Sequence, residues 1–171
     1  MTTATEATAT QYLTFNLGEE VFALDIGQVK EVLDFTTATR VPRTPDFMRG
    51  VINLRGAVVP VVDLRLKFGM SKTEQTVSTC VIITEIVVDR ERTVVGALAD
   101  SVLEVIDLDA GQIEPAPRLG TRLNTDFLKG IGKHNEQFML ILDINQVFSA
   151  DELARVTPGQ DETERTGANQ L

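Results

Sequence analysis

Phe47-Met48-Arg49-Gly50-Val51 is matched 80 residues later by Phe127-Leu128-Lys129-Gly130-Ile131. The same step relates Val61-Val62-Asp63-Leu64 to Ile141-Leu142-Asp143-Ile144, and Phe68 to Phe148. Upstream, Val29-Lys30-Glu31-Val32-Leu33-Asp34 matches Val102-Leu103-Glu104-Val105-Ile106-Asp107, and Pro42 matches Pro115, at a step of 73. Apolar, glycine and acidic positions that recur in step indicate two copies of one small fold. A solenoid needs about three copies or more. Two copies instead predict a pair of small units packed together with pseudo-twofold symmetry.

The local pattern is β. Leu13, Phe15 and Leu17 alternate with Tyr12, Thr14 and Asn16, a period of two, and Gly18-Glu19-Glu20 then turns the chain into Val21–Asp25 as a hairpin. Val51–Leu54 and Ala57–Val62 form a second hairpin around Arg55-Gly56, where Gly56 supplies the φ > 0 that a tight turn needs. Further β-branched runs are Val77–Val88, Thr93–Leu98 and Val102–Leu108, followed by Phe138–Ile144. Helical signals are brief, at Ile26–Val29, Leu64–Phe68 and Ile144–Phe148. Short strands punctuated by Gly, Pro, Asp and Asn point to an all-β chain of small barrels or a sandwich. With the repeat, the expectation is two barrels, the first over about 11–68 and the second over about 69–149. Pro60 lacks a ladder donor and predicts an edge or bulge position.

The ends lack this pattern. Residues 1–10 are Thr and Ala with one charge, and from Pro158 onward almost no apolar residue appears. Both read as disordered tails, 1–10 and 158–171, with a short helix at 150–156 before the second. No apolar stretch approaches the roughly 20 residues of a membrane span, and the N-terminus has no positive region of a secretory signal. Sixteen Lys and Arg against 25 Asp and Glu give a net charge of −9, which disfavours nucleic acid and anionic membranes. These features predict a soluble intracellular protein.

Candidate chemistry is sparse. Asp63 and Asp143 occupy equivalent positions, so a carboxylate pair sharing a proton has to be weighed. The Asp-Thr/Ser-Gly turn of such a dyad is absent, because Leu64 and Ile144 follow, and each Asp reads as the cap of a short helix. His134 lies in the polar turn Gly132-Lys133-His134-Asn135-Glu136 and reads as a solvated loop residue. Cys80, beside Val81-Ile82-Ile83, reads as a small core residue. One Cys and one His cannot build a usual zinc site or an internal disulfide. With no phosphate loop or nucleophile elbow, the expectation is no catalytic residue, metal or cofactor.

Arg40, Arg43, Arg49, Arg55, Arg65 and Lys67 fall in one stretch whose only acids are Asp46 and Asp63. Two readings stand. The charges are solvated singly around a barrel, or they form a face that meets an acidic protein partner. Arg55, at the hairpin tip, is placed to pair with a carboxylate such as Glu31, and an extended chain would send Val29 and Glu31 to one side.

The segments FNLGEEVFALDIGQVKEVL, TPDFMRGVINLRGAVVPVVDLRLKFG, VVGALADSVLEVIDL and IEPAPRLGTRLNTDFLKGIGK resemble the CheW-like domain family of bacterial chemotaxis coupling proteins. The resemblance runs from about Gln11 to Leu153 and assigns 11–157 to one CheW-like domain. It implies two five-stranded SH3-like β-barrels around a shared core. It implies a non-catalytic adaptor joining the cytoplasmic tips of chemoreceptors to the regulatory domain of the histidine kinase CheA, cytoplasmic and recruited to membrane-associated arrays. Receptor contact is then expected at Val29, Glu31, Gly50 and Arg55, with Ile26 and Val102 as weaker groove contacts, and kinase contact mainly on the first barrel. A CheV-like protein that has lost its receiver domain, a coupler for a non-motility pathway, and an enzyme built on Asp63 and Asp143 are the competing readings.

Overall fold

The computed structural model describes residues 10–88, 90–115 and 127–148. The expected helix at 150–156 and tail at 158–171 lie outside these residues, as do 1–9. Thr10, placed in the first tail by its composition, instead opens a strand and pairs with Leu108.

Among the described residues eleven strands form two sheets. They are β1 (Thr10–Leu17), β2 (Glu20–Asp25), β3 (Val29–Asp34), β4 (Met48–Leu54), β5 (Ala57–Asp63), β6 (Cys80–Val88), β7 (Glu91–Ala99), β8 (Ser101–Leu108), β9 (Ile113–Glu114), β10 (Leu128–His134) and β11 (Gln137–Leu142). One sheet has the order β3-β6-β7-β5-β4, the other β8-β1-β2-β11-β10-β9. The helical signals appear as a 3-10 turn at Ile26–Gln28 and one-turn helices at Leu64–Lys67 and Ile144–Val147.

The sheets do not divide the chain at 68/69 as the sequence predicts. The hairpin β1–β2 of the first repeat joins strands of the second, and β6–β7 of the second joins strands of the first. The exchange is made by the antiparallel pairings β1–β8 and β3–β6 and by two short parallel ones, Val61–Asp63 beside Gly96–Leu98 and Leu140–Ile141 beside Phe22–Ala23. Each barrel is therefore built from both repeats, and every strand still has a partner of the type the pseudo-symmetry requires.

Both barrels close by the same device. Thr39 exchanges two backbone hydrogen bonds with Val51, at 2.9 and 2.8 Å, which carries the chain after β3 onto β4. At the equivalent place β9 pairs Glu114 with Ile131 of β10. A Cβ at Gly50 would lie 2.3 Å from the Thr39 carbonyl oxygen, and one at Gly130 would lie 2.6 Å from that of Glu114. The repeated glycines are thus the places where the closing segment crosses the barrel wall.

Three apolar clusters result. Phe35, Val59, Val61, Val81, Ile83 and Leu98 fill one barrel; Tyr12, Ala23, Ile106, Leu108, Met139 and Ile141 fill the other. The largest lies between them and draws on both sheets, with Phe15, Phe22, Phe68 and Phe127 in a file of ring contacts at 5.9, 5.7 and 5.5 Å. Each fully buried side chain of this size contributes roughly 1.5–3 kcal/mol, so the barrels form one cooperative unit. Pro60 is not on an edge strand, since β5 lies between β7 and β4. The pairing with β7 begins only at Val61, so residues 57–60 have a neighbour on one side.

Candidate protein-interaction site

The Arg55 guanidinium donates to the Glu31 carboxylate, joining the β4–β5 hairpin tip to β3 across the seam between the two edges of the five-stranded sheet. Arg55 is largely exposed and Glu31 partly covered. The hydrogen bond and charge of Glu31 hold the guanidinium pKa above its ordinary value. Arg55 has φ 51° and Gly56 φ 92°, so both central residues of the turn are left-handed. Asn53 Oδ1 accepts from the Gly56 N–H at 2.8 Å and fixes the loop. Such turns favour Asn, Asp and Gly, and the equivalent turn of the other barrel carries Asn135 and Glu136 at φ 53° and 63°.

Val29 and Glu31 do not share a side as the extended-chain reading expects. The ladder between β3 and β6 slips between them: Val29 faces Thr84, Glu31 faces Ile83, and Lys30 is the extra residue of a bulge. One inserted residue sends the next side chain to the other face. Val29 consequently packs against the inter-barrel core, with Ile26 and Val102, while Glu31 pairs with a residue whose side chain fills the barrel. Gly50 is buried under Thr39 at φ 141°, where only glycine fits. The six sequence-predicted contact residues therefore fall in three places: Glu31 with Arg55 at the seam, Ile26, Val29 and Val102 along the junction of the barrels, and Gly50 beneath the closing segment.

Asp63 caps the helix Leu64–Lys67 as expected, accepting from the Arg65 N–H at 3.0 Å. It does more than cap. Fully buried, it also accepts from the Thr73 hydroxyl at 2.7 Å and the Thr73 N–H at 3.0 Å, and pairs with Arg49 at 3.5 Å. Asp143 stands at the equivalent helix start, but its side chain makes no cap hydrogen bond, which corrects the expected cap there. No hydrogen bond joins the two carboxylates among the described residues, and Asp63 is fully engaged by donors. His134 is the last residue of β10, paired with Gln137, and the turn is Asn135-Glu136 alone. Cys80 is buried, and that burial, with the charge of Asp34, raises its thiol pKa above the ordinary 9.0. Among the described residues no group of three or more His, Cys, Asp and Glu is arranged to hold a metal ion.

Most of the basic stretch is used internally. Arg65 donates to Asp100 at 2.9 Å and to Ser71, and Asp100 also accepts from the Gly18 N–H, so this pair ties the barrels' turns together. Arg49 lies over the Phe35 ring at 5.3 Å, and Lys67 over Phe47 at 4.4 Å.

A CheW-like domain family model matches residues 11–152. The chain belongs to the CheW-like domain family. It is 40% identical over 156 residues to the chemotaxis protein CheW of Klebsiella aerogenes, covering 90% of each chain. It is 31% identical over 159 residues to that of Bacillus subtilis, covering 92% of this chain and 99% of the other. A solved structure, the scaffolding protein TtCheW from Thermoanaerobacter tengcongensis, superposes with a TM-score of 0.74 at 34% identity, covering 84% of this chain and 90% of that one. The family and these relatives make the chain a chemotaxis coupling or scaffold protein. No helix among the described residues is long and apolar enough to cross a membrane.

On this CheW-like fold the repeat also places four exposed apolar side chains that sequence reading did not single out. Val32 and Val105, 41% and 47% exposed, are equivalent at the 73-residue step; Val58 and Phe138, both 64% exposed, are equivalent at the 80-residue step. The repeats themselves carried this signal, since outward strand positions matched as well as inward ones.

Proposed function

We propose that this chain is a non-catalytic adaptor that couples methyl-accepting chemoreceptors to the histidine kinase CheA. Receptor tips contact the Glu31–Arg55 seam and the adjoining Ile26, Val29 and Val102, and the kinase regulatory domain binds chiefly the first barrel, that of the five-stranded sheet. The supporting observation is the asymmetry between two otherwise matched turns. The second barrel keeps Asn135, a residue suited to left-handed backbone, and has Glu104 in the place of Glu31. The first barrel holds an arginine in the same strained conformation and pairs it across the seam. An exposed ion pair adds little to stability, so an arginine committed to one at this turn, where the other copy has Asn135, supports a role outside folding. The exposed apolar residues on each barrel supply further contact area, as a protein joining two partners needs.

The test is co-sedimentation of the purified protein with receptor-containing membranes, with and without the kinase. Receptor-dependent kinase activation should saturate at a fixed ratio of adaptor to kinase. Activation of excess kinase and receptor by a trace amount would refute the adaptor reading.

A further inference from the structure

Arg40, Arg49 and Lys72 open onto one hollow of about 170 Å³ beside the first barrel. Among the described residues no Asp or Glu lines it. The nearest acid in the bonding network, Asp63, lies buried behind Arg49 and is saturated by Thr73 and Arg65. Arg49 is held in place by Asp63, by the Thr73 carbonyl at 3.2 Å and by the Phe35 ring, so its guanidinium is fixed while still partly exposed. Gln75 donates to the carbonyls of Phe35 and Thr36 at 3.1 and 3.0 Å, which ties the 70–79 connection to the opposite wall. Arg40 and Lys72 stand exposed on those two walls. Asp63 balances Arg49, whereas among the described residues neither Arg40 nor Lys72 has an ion-pair partner, in a chain of net charge −9.

We propose that this hollow is a docking site for an acidic segment of a protein partner, with a Glu or Asp side chain seated between Arg40 and Lys72 against Arg49. Charge complementarity carries the assignment: a positive hollow on a negative protein attracts and orients an acidic segment while the rest of the surface repels it. The two outer cations are long, exposed side chains, suited to a carboxylate on a chain held elsewhere. The site does not rest on the receptor assignment, since it lies on the 35–40 and 70–79 segments.

The experiment is fluorescence anisotropy of a labelled hexaglutamate peptide with the full chain, at low salt and at about 0.15 M salt, where screening acts over roughly 8 Å. Saturable binding is expected, weakened by salt and at least about 10-fold weaker in the double variant Arg40→Glu/Lys72→Glu. Lys133→Glu, on the other barrel, should bind as the parent does, and circular dichroism should show all three proteins folded. Absence of saturable binding, equal binding by the double variant, or an equal loss in Lys133→Glu would overturn the proposal. Displacement by pyrophosphate at lower concentration than unlabelled peptide would assign the hollow to a small phosphate and overturn it as well.

Discussion

Glu31 and Arg55 lie 24 residues apart in sequence and meet across the one seam of the five-stranded sheet. Their pairing tethers the tip of a hairpin to the opposite edge, so the surface there has fixed shape and fixed charge order. Glu31→Lys or Arg55→Glu should leave the thermal melt nearly unchanged, because exposed ion pairs add little to stability. Receptor-dependent kinase activation should fall strongly in both, while kinase affinity persists. The swap Glu31→Arg/Arg55→Glu restores a pair with reversed polarity. If recognition reads the charges, it stays inactive; recovery would show that only the tether matters.

Gly50 and Gly130 offer a paired test of barrel closure. Gly50→Ala places a methyl group against the Thr39 backbone at a φ that L-residues rarely adopt, whereas Gly130→Ala meets the Glu114 backbone without a positive φ. Overpacking costs typically 1–3 kcal/mol and a forced left-handed residue about as much again. Both variants should be less stable in urea denaturation, Gly50→Ala by the larger amount, about 3 kcal/mol or more. Equal and negligible losses would mean that the closing segments shift freely.

Asp63 and Asp143 are matched in sequence and unequal in structure. Asp63→Ala removes the acceptor of two Thr73 donors and leaves Arg49 without its carboxylate, so a loss of about 3–5 kcal/mol is expected. Asp143→Ala removes no side-chain cap bond and should cost about 0.5 kcal/mol or less. Chemical denaturation of the two variants measures the contrast directly.

Cys80 reports on burial and pH. Its thiol should resist a disulfide reagent in the native protein at pH 8 and react rapidly once the chain is unfolded. Since burial raises its pKa in the folded state, the thiol's contribution to stability is present below the ordinary value of 9.0 and is lost as pH rises above it. Replacing Cys80 with Ala should flatten the fall in stability above about pH 9. An unchanged slope would place that fall on other groups.

Much of the architecture is legible in the chain because it depends on neighbours a few residues apart. Period-two alternation marked the strands around Gly18 and Arg55-Gly56, Asp63 stood where a helix begins, and repeats at 73 and 80 residues announced two like barrels. Four features escaped that reading because they depend on residues far apart in sequence. Like repeats have like strands, so local pattern is indifferent to which barrel receives β1–β2, and only the pairings between repeats, β1 with β8 and β2 with β11, β3 with β6 and β5 with β7, settle the exchange. The bulge at Lys30, which parts Val29 from Glu31, exists only as a mismatch between two paired strands. The bond from Thr73 to Asp63, and the hollow of Arg40, Arg49 and Lys72, follow from where a connecting segment lands on a closed barrel. Sequence by itself determined the units and their turns. Tertiary structure decided how the units interlock and which side chains face one another, because strand pairing and burial act between residues that the chain brings together only on folding.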